Sequence, residues 1–260
     1  MAKRPKTGGG ELELDFGTPN EKQKLFLASN TKYTAYGGAR GGGKSWAIIR
    51  KAVLLALYYP QIQILVVRRE YDQLENPIIM PMLKLLPQEL HTYNRQDHRL
   101  TLFNGSLVKF SNMPDYGAAV EGKFQGNSWD ILCIDEATQF TEEEFRGLAA
   151  IVRKGEHDRG FPKRIYLTCN PGGVGHFWVK RLFVDRNFKP NENPDDYVFI
   201  QATVDDNKNI DKEYINVLNN LPDDVRSAHR YGDWNALAGT FFPEFHKETH
   251  VIEPFVKIPA

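Results

Sequence analysis

Along this chain apolar residues gather in short, nearly unbroken runs, and between those runs they recur every three or four positions. Residues 33–36, 62–67, 131–134, 163–169 and 197–203 are the runs. Such runs suit strands covered on both faces of a parallel sheet. Between them lie stretches with helical periodicity. Residues 18–29 predict a helix started by Pro19, and 46–58 a helix ended by Tyr59-Pro60. Residues 74–86 predict a helix interrupted by Pro77 and Pro81, and 176–184 a helix entered through Gly172, Gly173 and Gly175, a mobile turn. Further helical stretches run from the acidic turn Asp205-Asp206-Asn207 to about Tyr231. Residues 99–103 and 107–111, joined by Asn104-Gly105, read as a β-hairpin. Strands that alternate with helices predict an α/β fold, with a central, mostly parallel sheet flanked by helices and a β-hairpin insertion.

Composition adds bounds. With 260 residues the chain suits one large α/β domain with extra elements. Its 33 basic and 33 acidic residues cancel, so net charge points to no nucleic-acid partner. The distribution is uneven: residues 146–189 hold ten Lys/Arg against three Asp/Glu, and 190–233 hold four against ten. That polarity marks either a DNA-facing or subunit-facing surface, or the solvated faces of two different elements. Cys133 and Cys169 sit inside apolar runs and read as buried thiols of a reducing compartment. Neither a secretory signal nor an apolar stretch of membrane-spanning length is visible. The charged, Gly-rich opening is expected to be a flexible tail.

Candidate chemistry enters where the first strand meets the first long helix. Gly38, Gly43, Lys44 and Ser45 fit the phosphate-loop pattern G-x-x-x-x-G-K-[ST], with Ala39, Arg40, Gly41 and Gly42 between them and Trp46 following. Glycines let successive backbone N–H groups close on a polyphosphate, and the helix start adds its positive end. Lys44 supplies a point charge to the β- and γ-phosphates, and the Ser45 hydroxyl can ligate Mg²⁺. The alternative is a Gly-rich turn with a solvated lysine. The second anchor is the strand 131–134, which ends in Asp135 and Glu136. Asp135 is placed to hold Mg²⁺, and Glu136 to orient and deprotonate a water for in-line attack on the γ-phosphate. Two carboxylates there can also cap a helix.

Thr168 and Asn170 lie at the end of a further strand, where a polar residue can bond the attacking water or the γ-phosphate and sense its loss. Arg68 and Arg69 emerge at a strand end where ligands of open α/β sheets sit, and they approach nucleotide or DNA or are surface charges. Gln23 carries an amide able to pair with an adenine edge, or is a surface glutamine. His157 and His176 lack partners at metal-ligand spacing.

The segments GGARGGGKS, ILCIDEA, TCNPGGVGHFWVKRLF and YGDWNALAGTFFPEF stand in the order and spacing of the large terminase subunits of tailed bacteriophages. The chain resembles the N-terminal ATPase half of that family across nearly its whole length. The resemblance implies a phosphate-loop NTPase fold with an additional strand between the two nucleotide motifs and a catalytic Glu directly after the metal Asp. It implies ATP and Mg²⁺ as ligands, with Lys44 and Ser45 on nucleotide and metal, Asp135 on metal, and Glu136 catalytic. It also implies a coupling role for Thr168 and Asn170, an adenine contact for Gln23, and a γ-phosphate or neighbouring-loop contact for Arg40. The function implied is a Mg-dependent ATPase motor that drives double-stranded DNA into a procapsid. It would act in the host cell cytoplasm, as a homo-oligomeric ring, with a portal protein and a small terminase subunit.

Where relatives place an arginine before the glycine ahead of the second anchor, this chain has Gln125 before Gly126, with Lys123 nearby. Arg40, Lys123, Arg146 and Arg153 therefore remain candidates for an arginine or lysine finger acting in trans. Expected boundaries are a tail over 1–16, an ATPase domain over 17–235, and a linker over 236–260 containing the aromatic 239–245 segment. That linker leads towards a nuclease domain that the chain lacks, so no DNA cleavage is expected from it. Rival readings are a helicase or recombination ATPase of the same fold, and a nucleotide-gated assembly module.

Overall fold

A computed structural model describes residues 14–113, 124, 128–154 and 160–237. One eight-stranded sheet, in the order β3-β4-β5-β2-β6-β7-β1-β8, carries the molecule. Its strands are β1 (Tyr33–Gly38), β2 (Gln63–Arg68), β3 (His91–Asn94), β4 (Arg99–Leu102), β5 (Leu107–Asn112), β6 (Ile131–Ile134), β7 (Arg164–Cys169) and β8 (Tyr197–Ala202). From β5 to β8 every neighbouring pair is parallel; β3–β4 and β4–β5 are antiparallel. The predicted hairpin is thus β4–β5, and it extends the sheet by pairing β5 with β2. Strand β3 was not foreseen: its exposed and half-buried residues carry no apolar run.

Residues alternate between two cores, as a strand with period two requires. Ile64, Val66, Phe110, Ile131, Cys133 and Tyr166 face one side. Leu65, Val67, Leu132, Ile134, Ile165 and Leu167 face the other. The first core is closed by α1 (Glu21–Ala28), α2 (Lys44–Tyr58) and the irregular helix α3. Helix α3 joins Asp72–Leu74, a π-helical stretch Glu75–Ile79, and Met80–Leu85. The interruption expected at Pro77 and Pro81 is absorbed rather than broken: Pro77 lies in the widened π turn, where a missing N–H is tolerated, and Pro81 opens the last segment. The second core is closed by α4 (Glu142–Ala150) and α5, in which His176–Val179 continues as a π turn, Lys180–Val184. Helices α6 (Lys212–Asn219) and α7 (Asp223–Tyr231) follow β8.

Helix α1 starts later than its proline suggested. Asn20 is the N-cap, and its side chain accepts the Gln23 N–H while the Gln23 side chain accepts the Asn20 N–H. The turn before α5 is tightly packed: a Cβ on Gly175 would lie 2.3 Å from the Phe140 carbonyl oxygen. Both cysteines are free and buried. Burial pushes the Cys133 thiol up to about 12. No helix among the described residues is long and apolar enough to cross a membrane. The tail over 1–13, Lys123, Gln125, Gly126, His157 and the 239–245 segment lie outside the described residues.

Candidate active site

Three strands deliver the site to one sheet edge. Because β7 lies between β6 and β1 and all three run parallel, their C-terminal ends open side by side. Strand β1 ends in the phosphate loop, β6 in Asp135-Glu136, and β7 in Cys169 and Asn170.

In the loop Gly38, Gly41 and Gly43 adopt positive φ, and a Cβ on Gly38 would meet the Ala202 carbonyl oxygen at 2.4 Å. The conformation thus demands glycine there, as its sequence pattern anticipated. The Ala39 N–H donates to Ala202 and the Arg40 N–H to His229, at 2.9 and 2.8 Å, so these two amides anchor the outer side of the loop. Gly41, Gly42 and Gly43 turn their carbonyls to Asn207, Tyr36 and Gln23. Among the described residues none accepts from the amides of Gly42, Gly43, Lys44 or Ser45. These donors lead into and begin helix α2, an arrangement able to hold an anion. Lys44 is 7% exposed, and its ammonium donates to the Ala39 carbonyl at 2.6 Å. Burial holds its pKa below the ordinary lysine range, opposed by the negative charges of Glu136 and Asp135. Lys44 therefore lies within electrostatic reach of both acids.

The acids are organised by one hydroxyl. Thr168 Oγ1 accepts the Glu136 N–H at 3.0 Å and donates to Asp135 Oδ1. Glu136 itself has left-handed backbone (φ 56°, ψ 55°), a conformation that costs a non-glycine residue about 1–2 kcal/mol. Asn170 Nδ2 donates to Glu136 Oε2 at 2.8 Å, which fixes the direction of that carboxylate. Asp135 is 1% exposed. Burial, then the adjacent Glu136 charge, push its carboxyl above the usual range, while Arg68 and Thr168 pull it back. Its Oδ2 has no hydrogen bond among the described residues, although Arg68 Nη1 stands 3.1 Å away. A buried carboxylate oxygen of this kind, with the half-buried Ser45 hydroxyl at the start of α2, is a donor set suited to a hard divalent cation.

Gln23 and Trp46 stand apart from these acids, on a cavity of about 630 Å³ shared with Asn20, Gly43 and the Asp205–Asn209 turn. Gln23 is buried and its amide is already committed, accepting from Asn20 and donating to the Gly43 carbonyl. It therefore props the loop, leaving one amide hydrogen for a ligand. Trp46 carries the Arg50 guanidinium 3.7 Å above its ring.

Of the finger candidates, Arg40 and Arg153 are exposed. Arg146 pairs with Glu142 and Glu192. Arg181 joins the same two acids, so this part of the basic stretch is neutralised by acids that flank it in sequence. Reading the sequence missed Arg68 as a partner of Asp135, and it missed His229 and Gly232. The Asp205-Asp206-Asn207 turn was a usable signal, since it follows the strand beside β1; nothing local marked His229.

A family model described as phage terminase large subunit matches residues 30–231. The chain belongs to that family. No curated protein matches it. Among solved structures, the terminase chain is similar to the large terminase of a thermophilic bacteriophage in complex with ADP, with a TM-score of 0.68 and 18% identity. That match covers 92% of this chain and 59% of the other. The same phage protein in complex with ATP-γ-S matches with a TM-score of 0.65, 18% identity, 83% of this chain and 52% of that one. The large terminase ATPase domain of Thermus phage P74-26 gives 0.61 and 19%, covering 83% and 93%. The terminase chain thus spans little more than half the length of that nucleotide-bound large terminase and matches most of the Thermus phage domain. The shared fold is the phosphate-loop NTPase sheet with the added strand, as expected.

Proposed function

We propose that this terminase chain is an ATP-hydrolysing motor domain that drives double-stranded DNA into a viral procapsid. The observation that carries the reading is the convergence of the phosphate loop and the Asp135-Glu136 pair on one sheet edge, at the C-terminal ends of adjacent parallel strands. The ATP-γ-S and ADP complexes of the thermophilic phage's large terminase support a nucleotide as the ligand.

In this reading the free amides from Gly42 to Ser45 cradle the phosphates and Lys44 balances their charge. Mg²⁺, when bound, would be held by Ser45 and Asp135 and would neutralise charge on the phosphates. Glu136 takes a proton from the attacking water, aimed by Asn170 and by the Thr168 bond to its amide. Because Asn170 touches the Glu136 carboxylate, any movement of that carboxylate passes directly to the start of the turn into α5. Gln23, Trp46 and the Asp205–Asn209 turn supply the wall for the base. Of the candidates for a trans-acting finger, Arg40 and Arg153 are exposed and would act on a neighbouring subunit of a ring. Such a finger adds about 10³–10⁵ in turnover, so the isolated chain hydrolyses ATP slowly. A portal protein, a small subunit and the host cytoplasm complete the proposal, and DNA cleavage is not assigned to this stretch of chain.

Replacing Glu136 by Gln tests it. Turnover should fall about 10²-fold or more in a phosphate-release assay, with ATP-γ-S affinity within about twofold of the parent. Parent-rate hydrolysis by Glu136→Gln would remove the assignment of the base.

A further inference from the structure

At the end of β2 two neighbouring arginines diverge. Arg69 is 4% exposed, donates to the Glu144 carboxylate, and also reaches the Met113 and Gln139 carbonyls. It ties the sheet to α4. Arg68 reaches the nucleotide edge instead. Its Nη1 donates to the Gln73 carbonyl at 2.8 Å, in the first turn of α3, and stands 3.1 Å from Asp135 Oδ2. The two side chains are 15% and 1% exposed. Neither Arg68 Nε nor Asp135 Oδ2 has a hydrogen bond among the described residues.

A carboxylate so deeply buried stays charged only beside a positive group. Thr168 is neutral, and the Lys44 ammonium is bonded to the Ala39 carbonyl. Arg68 is the one cation paired with Asp135 among the described residues. Its contact is Coulombic rather than a bidentate fork: only Nη1 pairs with Oδ2, that oxygen receives no hydrogen bond, and Nη1 directs an N–H at the Gln73 carbonyl. Such a contact holds the charge without closing the oxygen to another cation. We propose that Arg68 is the resident counter-cation of Asp135 while the site is empty of nucleotide, and that a divalent cation arriving with ATP must displace it. Arg68 is then a positioning residue that raises the metal concentration the site needs, so that metal settles only together with the triphosphate. The proposal rests on the ATPase reading above.

The test is a Mg²⁺ titration of the binding of a fluorescent ATP analogue, on the parent and Arg68→Gln. The variant should lower the Mg²⁺ midpoint at least threefold. Thermal unfolding should show Arg68→Gln less stable than the parent without ligand, with the gap closing by more than half in saturating Mg²⁺ and ATP-γ-S. In an Asp135→Asn background, where no buried charge needs balancing, the ligand-free penalty of Arg68→Gln should also shrink by more than half. A midpoint that is unchanged or raised overturns the proposal, as does an equal loss of stability in both states. Should Arg68→Gln fail to fold, Arg68→Met keeps an unbranched apolar stem and removes the charge. Its midpoint should fall at least threefold, and an unchanged one overturns the proposal. A parent protein with no Mg²⁺-dependent nucleotide binding would instead overturn the ATPase reading beneath it.

Discussion

Replacing Thr168 by Val keeps the side-chain shape and removes one hydroxyl at a position with 0% exposure. That hydroxyl makes two bonds, accepting the Glu136 amide at 3.0 Å and donating to Asp135 Oδ1. A half-buried amide left without an acceptor costs about 1 kcal/mol, and a lost bond to a carboxylate about 1.5–3 kcal/mol. Since valine fills the same space, no cavity is added. The expected loss is therefore about 3 kcal/mol, read as a lower urea midpoint at unchanged slope. The same amide bond helps to hold Glu136 in its left-handed backbone conformation. Without it the carboxylate moves off its line to the attacking water, and a displacement of about 1 Å costs on the order of 10²-fold in rate. Thr168→Ser retains both bonds and loses only a methyl group, so it should stay within about 1 kcal/mol of the parent. Urea unfolding and phosphate release, run on both variants, provide the measurements. A Thr168→Val protein within about 0.5 kcal/mol of the parent that turns over ATP at the parent rate would refute the bridging role.

Two further outcomes follow from other parts of the structure. Gly232 has φ +71°, and a Cβ there would stand 2.7 Å from the Ala39 nitrogen and 2.9 Å from the Gly38 Cα. Gly232→Ala therefore adds left-handed strain of about 1–2 kcal/mol and pushes on the phosphate loop; calorimetric titration should show ATP-γ-S binding about tenfold weaker, roughly 1.4 kcal/mol. Glu192 is held down to about 2 from 4.5, first by the hydrogen bond from Arg181, then by the Lys189 amide and Arg146. A depressed carboxyl stabilises the fold above pH 4.5, and the contribution disappears as pH falls towards 2, a loss on the order of 2–3 kcal/mol. Glu192→Gln should flatten that acid limb in urea unfolding followed from about pH 5 to about pH 2.

Where structure depends on residues close in sequence, this chain was legible. The apolar runs predicted the parallel strands, the glycine pattern located the phosphate loop, and the run into Asp135-Glu136 marked the second anchor. These features rest on local sterics and on periodicity, which any window of residues displays. Strand β3 escaped because an exposed edge strand has no apolar signature. The prolines of α3 misled because a π turn accepts what an α-helix refuses. The assignments that only the tertiary structure decided all concern partners from distant strands. Thr168 bridges Asp135 and Glu136, and Arg68 pairs with Asp135, because β2, β6 and β7 are neighbours in the sheet. Gln23 is spent on its own cap and on Gly43, while Arg146 is spent on Glu142 and Glu192. Residue type states what a side chain is able to bond. Which partner it meets depends on strand order, and that order is set by how two helical layers bury both faces of one sheet, a property of no single segment.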